Sequence, residues 1–210
     1  MKLTIFGATS GTGKQLVEQA LTAGSYVVAY ARNPSKLDFM HKDLTIVEGE
    51  LADQKMIEHA VSGADVVISV LGPRGGSKDK PITQGMQNII TAMNKYGVRR
   101  LIVSSTLSVK DPNDMADFKA KVLVNFVKLT MRSAYEEIIS VAEIVRKSDL
   151  DWTILRLTTL NNNPKSGEVR VGYLGKGEVG MRISRADLAE FMLKQIQNIK
   201  YLRQSPVISN

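Results

Sequence analysis

The sequence predicts an α/β fold: a doubly wound parallel sheet of the Rossmann type with a small C-terminal cap. Three observations predict it. Short β-branched runs bounded by Gly, Asn and Asp read as buried strands, those runs alternate with helix-like segments, and a glycine-rich turn follows the first run. Strands covered on both faces belong to parallel sheets with helices on each side. Crossovers in such sheets are right-handed, which yields the doubly wound fold.

The elements follow in sequence. The run LTIF (Leu3–Phe6) leads through the turn into a helical pattern from Gly13 to Ala23. YVVAY (Tyr26–Tyr30) and LTIVEG (Leu44–Gly49) are the next strands, separated by a polar turn. The short helix DQKMIEHAV (Asp53–Val61), the run DVVISVLG (Asp65–Gly72), the helix ITQGMQNIITAMNKYG (Ile82–Gly97) and the run RRLIVSS (Arg99–Ser105) continue the alternation. Asp111-Pro112 marks a turn, after which Phe118, Val122, Phe126 and Leu129 recur at helical spacing. That stripe is expected to pack into the core, with Phe118 or Met115 as alternative wall residues of a substrate pocket. A second helix is expected from Tyr135 to Arg146, then the strand LDWTILRL (Leu150–Leu157). The cap is expected to hold a strand near Val179–Ile183 and a helix from Arg185 to Gln197, with Asp187 capping or anchoring that helix. No repeat or linker divides the chain, so one domain over residues 1–210 is expected, with residues 157–210 supplying the substrate side.

Composition narrows the function. At 210 residues the chain is long enough for one well-buried core and short for two. It has no cysteine, which excludes disulfides, thiolate nucleophiles and Cys-ligated metals. Its two histidines, His41 and His59, fall in no metal-ligand pattern, so no metal site is expected. No apolar run reaches the roughly 18 residues of a bilayer span, and MKLTIF lacks the features of a signal peptide. A cytoplasmic location and no membrane partner are the expectation. The net charge of +7 is spread among acids, with no zinc-finger or RNA-binding aromatic signature, so no nucleic-acid partner is expected. A basic surface also raises the local concentration of a polyphosphate ligand.

The glycine-rich turn is FGATSGTGKQ, Phe6 to Gln15. Between a strand and a helix it presents backbone N–H groups to a pyrophosphate, helped by the partial positive charge of the helix N-terminus. Gly7 allows the sharp turn, Gly13 lets the helix approach the sheet, and Thr9, Ser10 and Thr12 offer hydroxyls. Gly11 completes the loop. The spacing is not that of a P-loop: five residues separate Gly7 from Gly13-Lys14, and Gln15 follows the lysine.

GATSGTG before a helix resembles the first turn of the short-chain dehydrogenase/reductase superfamily, G-x-x-x-G-x-G. ARNPSKL (Ala31–Leu37), VEGELAD (Val47–Asp53), VVISVLGPRG (Val66–Gly75), RRLIVSSTLSV (Arg99–Val109), LDWTILR (Leu150–Arg156) and ISRADLAEFML (Ile183–Leu193) follow in the order found in its atypical, NmrA-like branch. The likeness is to biliverdin-IXβ reductase/flavin reductases and bacterial NADH-flavin reductases, and it covers nearly the whole chain.

The residues read on their own support a nicotinamide cofactor. NAD-preferring folds place an acid at the end of the second strand, to bind the ribose hydroxyls. Here that place holds Arg32, with Ser35 and Lys36 close behind, a set suited to the 2′-phosphate of NADP. A solvated basic turn is the alternative. Glu50 and Leu51 stand where the family has Gly-Asp and a hydrophobe around the adenine. Leu71, Gly72 and Arg74 close the fourth strand; Gly72 permits close approach, and Arg74 is either a phosphate contact or a solvated loop cation. Ser104, Ser105 and Thr106 close the fifth, at the carboxyl edge where open sheets bind ligands. By position Thr106 matches the serine near the nicotinamide in the resembled reductases, with a strand-capping hydroxyl as the alternative. Leu157 and Thr158 occupy the turn expected beneath the nicotinamide.

Typical short-chain dehydrogenases pair a serine here with Tyr-x-x-x-Lys. This chain departs from that: Tyr135 is followed four positions later by Ile139, and Tyr96 and Tyr173 lack the spacing too. The resemblance therefore implies an NADPH-dependent reductase that passes hydride to a planar acceptor such as flavin, bound as substrate and not as a prosthetic group. The alternative is a non-catalytic NADP-binding sensor of the NmrA type. A small planar molecule is the expected partner, and the chain is expected to be a monomer or homodimer.

Overall fold

The computed structural model describes residues 1–38, 40–73 and 80–210. Strands β1 (Lys2–Phe6), β2 (Tyr26–Ala31), β3 (Leu44–Glu48), β4 (Val66–Ser69), β5 (Arg100–Thr106) and β6 (Asp151–Leu157) stand side by side in the order β3-β2-β1-β4-β5-β6, all parallel. This is the dinucleotide-binding order, whose reversal point lies between β1 and β4. The β-branched runs form these strands because every residue of β4 and nearly all of β1 and β6 is buried, leaving no face for water.

Helices α2 (Gln54–Val61), α3 (Pro81–Tyr96) and α5 (Arg132–Lys147) cover one face of the sheet; α1 (Gly11–Thr22) and α6 (Arg185–Lys194) cover the other. The first core holds Phe6, Ile57, Met86, Ile89, Met93, Leu101 and Ile154; the second holds Leu3, Ile5, Leu16, Val17, Ile68, Leu188 and Met192. Burying a Leu or Val side chain stabilises the fold by about 1.5–3 kcal/mol, so α1 gains several such increments from Leu16, Val17 and Leu21. The position of α1 depends on Gly13. A Cβ there would overlap the Gly7 carbonyl oxygen and come within 2.7 Å of Ala8 backbone atoms.

The C-terminal region is divided between the sheet and the cap. Strand β10 (Val207–Ser209) pairs parallel to β6, and β8 (Arg170–Gly172) pairs antiparallel to β10, so both lengthen the main sheet. Only β7 (Thr159–Asn161) and β9 (Arg182–Ser184) form a separate two-stranded sheet. Ser184 caps α6, and Asp187 accepts from the Ser184 hydroxyl (2.6 Å) and from the amides of Ser166 and Gly167 (3.0 and 2.8 Å). Asp187 is thus the anchor the sequence suggested. Burial opposes its charge, and these hydrogen bonds outweigh that, holding its pKa below the usual carboxylate value.

One expectation fails. Helix α4 (Phe118–Thr130) exists, but Phe118, Val122, Phe126 and Leu129 are exposed and pack into no core. The helical period was real; its direction was not readable. Half-buried Ala120, Val124 and Val127 face inward instead, as α4 packs against α5. Three small side chains suffice for that contact, which leaves the larger apolar stripe outward. Phe118 and the exposed Met115 also stand outside the cleft described next.

Candidate functional site

At the carboxyl edge of β1, β4, β5 and β6 the chain forms a cleft of about 350 Å³. Its floor comes from the ends of strands and its rim from the first turn of α1. Gly7 makes the turn possible: its φ is +82°, a region that side chains rarely adopt, and a Cβ would meet the Val70 carbonyl oxygen at 2.9 Å. Ser10 then caps α1, its hydroxyl accepting from the Gly13 amide at 3.0 Å. The amides of Gly11 and Thr12, in the first turn, have no intrahelical acceptor. They are the donors that an anionic diphosphate at this end would take, and Ser10, Gly11 and Thr12 all line the cleft.

The opposite wall is apolar. Val70, Leu71, Pro73, Ile82, Ile138, Val141, Leu157 and Leu160 line it, with Gly72 at the end of β4. Ser104, Ser105 and Thr106 bring three hydroxyls to the same space from β5. The Thr106 hydroxyl also accepts from the Ser108 amide (3.2 Å), so it closes the strand end while lining the cleft. Leu157 lines the cleft, whereas Thr158 turns away and its hydroxyl donates to the Ile208 carbonyl at 3.2 Å. Arg74 lies outside the described residues.

Two side chains join the cleft that the sequence did not single out. Glu137, on α5, is 3% exposed and accepts from the Ile82 amide at 2.7 Å, capping α3 from another helix. The signal was negative: Lys80 stands at the cap position of α3 and contributes no side-chain acceptor. Arg185 begins α6, and a Cβ on Gly11 would lie 2.9 Å from its Cδ and Nε. Its guanidinium donates to the Asn162 side chain at 2.7 Å, and no carboxylate pairs with it among the described residues. Arg185 belongs to the motif ISRADLAEFML, as its third residue and two before Asp187. A larger, open groove of about 910 Å³ between α1 and α6 shares Gly11 and Arg185 with the cleft but is lined by no residue of the main sheet.

The other nucleotide-side residues gather past β2. Arg32 is exposed beyond its end, 3.9 Å from the Glu50 carboxylate. Ser35 and Lys36 follow in a 3₁₀ turn over Pro34–Lys36, where the Ser35 hydroxyl meets the Asn33 side chain at 2.6 Å. Lys36 is exposed and unpaired among the described residues. Thr9 is half-buried in the glycine loop without lining the cleft. Leu51 packs on Gly85 of α3, and its carbonyl accepts from Asn88 at 2.8 Å, so it ties β3's exit to α3. Tyr30 stands between: its hydroxyl donates to the Glu50 carbonyl at 2.8 Å, and its ring lies 4.9 Å from that of Phe6. Burial, reinforced by the Asp53 and Glu50 carboxylates, pushes its pKa up to about 12.

Tyr135 does not enter the cleft. It lies under Lys128 of α4, whose ammonium is 5.8 Å from its ring, while Glu137, Ile138 and Val141 turn inward. The titratable side chains that line the cleft, among the described residues, are Glu137 and Arg185.

Comparison with known proteins agrees with this geometry. A family profile described as NAD(P)H-binding matches residues 7–199. The UPF0659 protein YMR090W of Saccharomyces cerevisiae is 25% identical over 93% of this chain and 87% of its own length. A (4-alkanoyl-5-oxo-2,5-dihydrofuran-3-yl)methyl phosphate reductase of Streptomyces griseus is 26% identical over 78% of this chain, which matches half of that protein's length. Among solved structures, ChuY, an anaerobilin reductase from Escherichia coli O157:H7, superposes with a TM-score of 0.80 at 20% identity, over the whole of this chain and 97% of ChuY. A Veillonella parvula short-chain dehydrogenase/reductase solved in complex with NADP gives 0.77 at 23% identity, over the whole of this chain and 94% of that one. At these identities the structural likeness shows the fold, and the family rests on the profile. The chain belongs to the NAD(P)H-binding family that this profile describes, and its fold is the Rossmann fold of these solved structures.

Proposed function

We propose that the protein is an NADPH-dependent reductase that transfers hydride to a planar conjugated acceptor of the flavin class, bound as substrate. The cleft carries this reading. It has apolar walls on α3, α5 and the strand ends, three β5 hydroxyls, and no tyrosine or histidine among the described lining residues. The dinucleotide, when bound, supplies the hydride. The chain's own residues hold and shield it. The Gly11 and Thr12 amides grip the diphosphate, Arg32 and Lys36 take the 2′-phosphate, and Ser105 and Thr106 face the reacting end. Leu71, Ile138, Val141, Leu157 and Leu160 offer a stacking surface and exclude water beside it. Reduction of a flavin at N5 leaves an anion that takes its proton from solvent, so no protein acid is required. Proximity and orientation then carry the rate.

Steady-state oxidation of NADPH in the presence of FMN, FAD, riboflavin and quinones tests the proposal. Turnover with at least one of them, faster with NADPH than with NADH, is the expected result. Tight NADPH binding without turnover on any of them would replace it with the sensor reading.

A further inference from the structure

The apolar face of α4 is exposed and framed by cations. Phe118, Val122, Phe126 and Leu129 are 80, 53, 62 and 84% exposed and fall on one stripe of the helix. Met115 before the helix and Met131 after it extend the apolar surface. Lys119 flanks the stripe on one side, Lys121 and Lys128 on the other, all of them exposed. Between Asp117 and Glu136 the chain carries four cations (these three and Arg132) and no acid. A stripe of Phe, Val and Leu with lysine on both flanks is the pattern of a helix lying in a lipid interface.

We propose that α4 docks on an anionic lipid surface, with the stripe at the acyl boundary and the lysines among the headgroups. Charge selects this occupant. A second copy brought face to face on the stripe would set lysines against lysines, in a chain whose net charge is already +7. A zwitterionic surface would leave the cations without counter-charges, whereas anionic lipids attract each of them. The helix is free to serve, because α5 holds it through the opposite face. The expectation of no membrane partner rested on the lack of a spanning segment. No helix among the described residues is long and apolar enough to cross a membrane, but lying on a surface needs none.

Flotation of the full chain with vesicles of phosphatidylcholine alone, and of phosphatidylcholine mixed with phosphatidylglycerol, tests this. The protein is expected to float with the mixed vesicles and not with phosphatidylcholine, and high salt should weaken binding at least tenfold. Phe118→Ser with Phe126→Ser and Leu129→Ser, and separately Lys119→Glu with Lys121→Glu and Lys128→Glu, should each lower affinity for the mixed vesicles at least tenfold. Melting temperature and nicotinamide-cofactor binding should stay unchanged in both, since every altered side chain is exposed. Failure to float with the mixed vesicles, or undiminished binding by the serine variant, overturns the proposal. So does a dimer seen by analytical ultracentrifugation that the serine substitutions dissociate, which would assign the face to a second copy.

Discussion

Arg156 of β6 holds Asp114 with both ends of its guanidinium, each nitrogen 2.7 Å from a carboxylate oxygen, and is itself completely buried. The same guanidinium donates to the carbonyls of Val109 (3.0 Å) and Ser205, so one side chain ties the segment after β5 to the segment before β10. Asp114 in turn accepts from the amides of Asp111 (2.9 Å) and Leu174 (3.1 Å). This knot fixes the loop that leads from Thr106 to α4.

Removing one partner leaves the other charge buried and alone. Asp114→Ala is therefore expected to cost about 3–5 kcal/mol, read as a lowered denaturation midpoint. Asp114→Asn, which keeps the shape and an acceptor, should cost less. A midpoint unchanged in Asp114→Ala would show that the pair contributes nothing.

The same pair sets an acid limit. Burial raises the Asp114 pKa, but the hydrogen bonds from Arg156 and the two amides, with the guanidinium charge, hold it below the usual value. A depressed carboxylate binds fewer protons folded than unfolded. Its contribution is present above the unfolded pKa of about 3.9 and disappears as pH falls through the folded value. Wild type should lose stability in that acid window, and Asp114→Asn should lose less there. Parallel pH profiles would contradict this.

The glycines of the phosphate loop should separate. Gly13→Ala places a Cβ into backbone that cannot move aside, and is expected to destabilise by about 3 kcal/mol, the upper end of overpacking costs. Gly11→Ala meets only the far end of Arg185, so the fold should survive while dinucleotide affinity falls. Thermal melting beside cofactor titration distinguishes the two.

Arg32 and Arg185 should affect cofactor binding differently. On the proposed reading Arg32 takes the 2′-phosphate, whereas Arg185 lies against Gly11 in the turn assigned to the diphosphate. Each charge-assisted contact is worth about 1.5–3 kcal/mol, roughly ten- to hundredfold in affinity. Arg32→Ala is expected to weaken NADPH and spare NADH. Arg185→Ala should weaken both alike. Calorimetric titration of the two cofactors decides, and an equal loss of both in Arg32→Ala would give that arginine a structural role.

Tyr135→Phe should retain most flavin reductase activity, because the ring lies under Lys128 outside the cleft. Thr106→Phe should lower it sharply by filling the space beside the β5 hydroxyls. Collapse of turnover in Tyr135→Phe with cofactor binding intact would restore a tyrosine acid to the mechanism.

The sequence by itself determined the parallel sheet with helices on both faces and the glycine-rich turn that leaves β1. Continuous apolar runs demand burial on both faces, and Gly7 and Gly13 are legible because their lack of a side chain is a local steric requirement. It also brought the hydroxyls of Ser104, Ser105 and Thr106 to the cleft, since in a parallel sheet the strand ends share one edge. Tertiary structure decided what depends on distant partners. Glu137 caps a helix 55 residues away along the chain, and Arg185 reaches Gly11 only because α6 packs on α1. The direction of the α4 stripe belongs here too: a 3.6-residue period shows that a face exists, but only the packing of α5 against Ala120, Val124 and Val127 decides that Phe118 and Phe126 face outward.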